Sequence, residues 1–259
     1  MKNNKVSEFL TQTTFRKVPE VFLIFWIIKL LTTAMGESTS DYLVHTLNPI
    51  PAVLLGGIGF VIAMIFQLFV KRYRALTYWL AVTMVAIFGT MAADVIHIGL
   101  GIPYLVSTIF FSVALIVIFI IWYKTEKTLS IHSIFNRKRE LFYWATVLTT
   151  FALGTAAGDM TASTLGLGYL NSGILFVVLM AIPAVSWKIF KMNPIVAFWF
   201  AYIVTRPLGA SFADWFGRSP YLGGIGFGTD KTSIVLGIFI IICVLYLGIT
   251  KVDTKKTSQ

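Results

Sequence analysis

Four aspartates, Asp41, Asp94, Asp159 and Asp214, each close one copy of the same pattern: aromatic residue, Trp, five residues, Thr or Val, three residues, Gly, four residues, Asp. The copies are Phe25-Trp26 with Thr32, Gly36 and Asp41; Tyr78-Trp79 with Val85, Gly89 and Asp94; Tyr143-Trp144 with Thr150, Gly154 and Asp159; and Phe198-Trp199 with Thr205, Gly209 and Asp214. Four of the seven tryptophans and four of the eleven acidic residues fall in register, so the chain is internally repeated. Carboxylates in apolar surroundings bind cations, carry protons, or organise helix ends. Glu37 adds a fifth acid, where the later copies have Thr90, Thr155 and Ala210. Two cations also lie inside apolar runs, Lys29 and Arg206. Each is expected to pair with an acid across helices, which leaves three negative charges for protons, water or a bound metal ion to balance.

His45 follows Asp41 by four residues and His97 follows Asp94 by three, so each pair shares a helix face. Asp41, His45, Asp94 and His97 therefore form a candidate set for manganese, zinc or iron, while the oxygens alone would suit magnesium. The plainer reading makes each histidine a membrane-interface residue and each aspartate a helix-end hydrogen-bonding group. No Ser-His-Asp order, HExxH or other catalytic arrangement is present.

The elements that must position these groups follow from composition. Of 259 residues, 57% are hydrophobic and only 12% charged, half the charge of a soluble domain. Mean hydropathy is +0.83. A hydrocarbon core about 30 Å thick takes roughly 20 apolar residues per helix, and the chain offers eight such stretches, near 20–43, 50–70, 76–97, 103–123, 141–162, 170–190, 195–216 and 232–250. The fold class is an all-α polytopic membrane protein of eight spans, built as four two-helix repeats near 19–72, 73–128, 138–191 and 192–250. A segment 1–18 precedes the membrane domain and a tail 251–259 follows it.

Basic residues sort by side. Lys2, Lys5, Arg16 and Lys17 at the start share one face with Lys71, Arg72 and Arg74, with Lys124, Lys127, Arg137, Lys138 and Arg139, with Lys188 and Lys191, and with Lys251, Lys255 and Lys256. The opposite connections carry only Arg218 and Lys231. The positive-inside rule puts both termini in the cytoplasm, and the even span count agrees. The formal charge of +10 thus reflects topology, and no basic stripe with interleaved aromatics points to nucleic acid. His132, in the one long connection, is expected to be a solvated loop residue. A single cysteine, Cys243, excludes an intrachain disulfide.

Two helices per repeat keep every repeat the same way up, so the symmetry axis should run along the membrane normal and the aspartates should share one depth. At about 100° per residue, Trp and the ionisable residues share a helix face. The glycines point to an adjacent face, where small side chains allow close helix approach. Trp26, Trp79, Trp144, Trp199, Gly36, Gly89, Gly154 and Gly209 are therefore expected to pack helices. The Gly-x-Gly pairs at 99–101, 166–168 and 226–228 follow no strand, so they form turns and not phosphate cradles.

Lys17-Val-Pro-Glu20, Phe25-Trp26-Ile27-Ile28-Lys29 and the run Thr32 to Asp41, with the later Trp, Gly and Asp positions, make the chain resemble a family of bacterial integral membrane proteins built from a tandem repeat of unknown function. The resemblance covers about residues 17–250 and implies a multi-pass protein of the bacterial cytoplasmic membrane, with no activity to carry over. From the residues, the expectation is a transporter or permease for a cation, either a divalent metal or one coupled to protons. Its acid-lined cavity would be formed by Glu37, Asp41, Asp94, Asp159 and Asp214, with Lys29 and Arg206 responding to occupancy. The bilayer and a small cation are its expected partners. The alternatives are a noncatalytic scaffold or sensor, and a membrane enzyme acting on a lipid-linked substrate.

Overall fold

The computed structural model describes residues 16–254, so Lys2, Lys5, Lys255 and Lys256 lie outside the described residues. Eight long helices follow in order, with no strand among the described residues: α1 (Leu23–Leu47), α2 (Pro49–Phe69), α3 (Ala75–Asp94), α4 (Tyr104–Glu126), α5 (Arg137–Asp159), α6 (Gly168–Phe190), α7 (Pro194–Gly217) and α8 (Thr229–Thr250). Seven are long and apolar enough to cross a membrane. The eighth, α1, has ample length at 25 residues but carries Lys29, Glu37 and Asp41.

Local chemistry sets the helix ends. Pro49 and Pro194 occupy first-turn positions, where a missing N–H costs nothing. Asn136 and Asn193 accept backbone N–H groups, from Arg139 and Ile195, at the starts of α5 and α7. On the basic face α4, α6 and α8 each end on a lysine in the left-handed conformation, Lys127, Lys191 and Lys251. At the opposite end Gly101, Gly166, Gly168, Gly226 and Gly228 have positive φ, consistent with turns.

Odd and even helices differ in burial. Buried residues make up 56–67% of the most apolar stretch of α3, α5 and α7, against 17–28% for α2, α4, α6 and α8. The odd helices therefore form the inner layer, and they close a ring in which α1 meets α3, α3 meets α5, α5 meets α7, and α7 meets α1. The even helices lie outside, with an offset that the repeat pattern does not specify. Each packs most extensively on the odd helix of the following repeat: α2 on α3, α4 on α5, α6 on α7, and α8 back on α1. A repeat in sequence is thus not a packing unit in space.

The basic face is stitched across the chain. Tyr73 N donates to the Arg16 carbonyl at 2.8 Å, Lys17 N to the Ile134 carbonyl at 3.0 Å, and Glu20 N to the Asp253 carbonyl at 2.9 Å. Lys17 pairs with the buried Glu140, and the Tyr73 hydroxyl donates to Asp253. Burial raises the Asp253 carboxyl above its usual range, opposed by that hydroxyl. His132 is half exposed, 3.5 Å from Glu20, and burial with Arg16 beside it holds its imidazole below the ordinary value.

Candidate functional site

The inner ring is held by two sets of contacts that repeat around it. Each pattern glycine faces the next odd helix so closely that a Cβ would meet it: Gly36 against Ala86 Cβ at 2.5 Å, Gly89 against Phe151 Cβ at 2.7 Å, Gly154 against Arg206 Cγ at 2.2 Å, and Gly209 against Thr33 Oγ1 at 2.0 Å. No side chain fits at those points without moving a helix. Toward the basic face, the aromatic residue of each repeat meets the tryptophan of the next. Ring centroids are 5.5 Å apart for Phe25 and Trp79, 5.6 Å for Tyr78 and Trp144, 6.2 Å for Tyr143 and Trp199, and 5.7 Å for Phe198 and Trp26. This belt of eight rings closes on itself, and the Tyr78 and Tyr143 hydroxyls hydrogen-bond within it.

Above the belt sits Arg206, fully buried. Its Nη2 donates to Glu37 Oε2 at 2.7 Å, to Thr155 Oγ1 at 2.7 Å and to Thr90 Oγ1, while Nη1 donates to the Thr33 carbonyl at 3.1 Å. One guanidinium on α7 thereby touches α1, α3 and α5, so all four repeats meet at it. Only a group near the ring's axis can do this. Glu37, Thr90 and Thr155 are register-equivalent, and the fourth member, Ala210, is small. A buried carboxylate and guanidinium in direct contact offset charges that would each cost several kcal/mol alone, on the order of the desolvation penalty per ion.

The aspartates lie four residues beyond that level, one helical turn or about 6 Å along the axis. They divide into two kinds. Arg218 Nη2 pairs with Asp41 Oδ2 at 2.9 Å and its Nε with Asp214 Oδ1 at 2.8 Å, so one cation clamps the first and fourth repeats. Asp41 and Asp214 are buried. Asp94 and Asp159 are half-buried, and neither has an ion-pair partner among the described residues. Each of the four aspartates lies within electrostatic range of Glu37 and of at least one other aspartate. The backbone also separates the two kinds. Directly after Asp94 and Asp159, α3 and α5 widen into π turns, Val95–Gly99 and Met160–Thr164, whereas α1 and α7 stay α-helical through Asp41 and Asp214. Such turns insert an extra residue and recur at functional sites.

Several expectations change. Lys29 does not pair with an acid: its fully buried Nζ sits 4.0 Å from the Phe151 ring centroid and 4.3 Å from that of Tyr202, with no hydrogen-bond partner among the described residues. Two ring faces stand where a carboxylate was expected. Arg218, read from the sequence as a loop residue, supplies the missing cation. The signal was present, because Arg218 follows Asp214 by one helical turn and stands where a cation favours a helix C-terminus. The set Asp41, His45, Asp94 and His97 does not assemble as a metal centre. His45 is exposed, with Nδ1 2.7 Å from the Asp41 carbonyl of its own helix, and His97 Nδ1 contacts Ser107 Oγ at 3.0 Å. Among the described residues no group of three or more His, Cys, Asp or Glu side chains is arranged to hold a metal ion.

Neither the curated proteins nor the solved structures yield a match to this sequence. One family model, described as Repeat of Unknown Function (DUF347), matches it four times in tandem, at residues 24–73, 77–128, 142–193 and 197–253. Each match opens at or just before the aromatic-Trp pair and runs through the following even helix, so the matched repeats are those that supply one glycine seam, one belt pair and one aspartate apiece. The chain belongs to the DUF347 repeat family.

Proposed function

We propose that the protein is a multi-pass transporter or permease of the bacterial cytoplasmic membrane, moving a small cation along the axis of the four-helix ring. Both termini face the cytoplasm, on the strength of the basic residues gathered there. The observation that carries the reading is the pair Asp94 and Asp159, two half-buried carboxylates without an ion-pair partner among the described residues, at the same end of the ring as Asp41 and Asp214, which Arg218 clamps. Acids at membrane depth are costly, so they mark ion or proton pathways by default. In this reading the aspartates capture a cation or proton from outside, the Arg206–Glu37 pair is the barrier one turn deeper, and the aromatic belt is the inner seal.

The test is flux in proteoliposomes. Asp94→Asn and Asp159→Asn should each abolish cation-dependent charge movement in correctly folded protein; full flux in the double variant would remove the proposal. A noncatalytic scaffold or sensor is the second reading, favoured by the closed belt and the glycine seams. It predicts that Gly36→Leu or Gly154→Leu abolishes function while the Asp→Asn variants keep it.

A further inference from the structure

Resting on that transporter reading, we infer that the axial pocket filled by the Arg206 guanidinium is the deep binding site of the pathway, and that its ligand is a small monovalent organic cation of the guanidinium or alkylammonium class. The pocket is a cast of such a ligand. It offers one carboxylate from Glu37, two hydroxyls from Thr90 and Thr155, and the Thr33 carbonyl, all of which accept from a planar donor. One carboxylate balances one positive charge, which suits a monovalent group. A divalent metal needs more anionic oxygens or imidazoles, and no such group of three occurs among the described residues.

Aromatic faces complete the match. The Phe151 ring lies 5.1 Å from the Arg206 guanidinium carbon and 4.0 Å from Lys29 Nζ, and Tyr202 adds a second face to Lys29. The ring therefore already holds a guanidinium on a carboxylate, two hydroxyls and an aromatic face, and a long amine side chain between two rings, the kinds of contact that recognise these groups in ligands. Occupancy also has somewhere to send Arg206. Asp94 and Asp159 stand four residues past Thr90 and Thr155 on the same helices and have no cation of their own among the described residues. A ligand replacing Arg206 on Glu37 would release the guanidinium toward them, so that each cation entering moves a tethered one.

The experiment uses the full chain, purified and reconstituted, with concentration jumps of methylguanidinium chloride, ethylammonium chloride and manganese chloride on a solid-supported membrane. Saturable currents are expected for the two organic cations, reduced at least tenfold by Glu37→Gln and several-fold by Thr155→Val. Independently, the melting temperature of Arg206→Ala in detergent should rise with millimolar methylguanidinium and not with equal sodium chloride, an effect that Glu37→Gln removes. Should Arg206→Ala fail to fold, the Thr155→Val currents and methylguanidinium protection of the wild type decide. Currents from manganese or protons alone would overturn this inference while leaving the transporter reading intact. Protection by methylguanidinium with no current from any cation would uphold the pocket and overturn transport. Neither current nor protection would overturn both.

Discussion

Asp41 and Asp214 end the same sequence pattern as Asp94 and Asp159, yet the first pair shares Arg218 and the second pair has no cation among the described residues. The pattern therefore fixes where a carboxylate stands and not what it does. Asp41 and Asp214 hold together the seam where the last repeat meets the first. Asp94 and Asp159, in the middle of the chain, have no such clamp, and the helix widens just beyond each of them. Four acids at equivalent positions of the repeat are thus divided into a half clamped by Arg218 and a half without an ion pair among the described residues.

The comparison breaks first at Arg218. Arg218→Met strands two buried carboxylates, and removing one partner of a buried pair costs about 3–5 kcal/mol; the melting temperature in detergent should fall accordingly, and an unchanged value would erase the distinction between the two halves. Asp214→Asn leaves Arg218 with Asp41 and should cost less, about 1–3 kcal/mol for a charged hydrogen bond. A double-mutant cycle sharpens the contrast further. Coupling between Arg218 and Asp214 should exceed about 1 kcal/mol, and coupling between Arg218 and Asp94, which form no ion pair, should be smaller. The smallest change in stability belongs to Asp94→Asn and Asp159→Asn, below about 1 kcal/mol because no pair is broken, although these are the variants that should stop flux. Equal destabilisation by Asp94→Asn and Asp214→Asn would show the four sites to be alike after all.

Much of this architecture was legible in the residues. Hydropathy placed all eight helices within about four residues of their ends, because a bilayer-length apolar run has few alternatives. The register of Trp, Gly and Asp gave the repeat, and the glycines lie where odd helices approach most closely. What the sequence hid depends on neighbours. Nothing in α2 states that it will lean mainly on α3, since its outer face is uniformly apolar and lipid-compatible. Lys29 seemed to need an acid because ring faces as partners are invisible until Phe151 and Tyr202 are brought to it. The π turns after Asp94 and Asp159 have no compositional mark that α1 or α7 lacks. Arg218 was overlooked because hydropathy ended α7 at 216, two residues before its last turn delivers the guanidinium to Asp41.

The contact between Glu37 and Arg206 spans 169 positions of chain. Ribosomes add roughly 5–20 residues per second, so Glu37 enters the insertion machinery on the order of 10–30 seconds before its counter-charge is made. The last helix, α8, must then arrive to cover the first. An opening hairpin released alone would carry that glutamate without its arginine, and a proton on the carboxyl or a place beside the insertase would lower the cost until the ring closes around it.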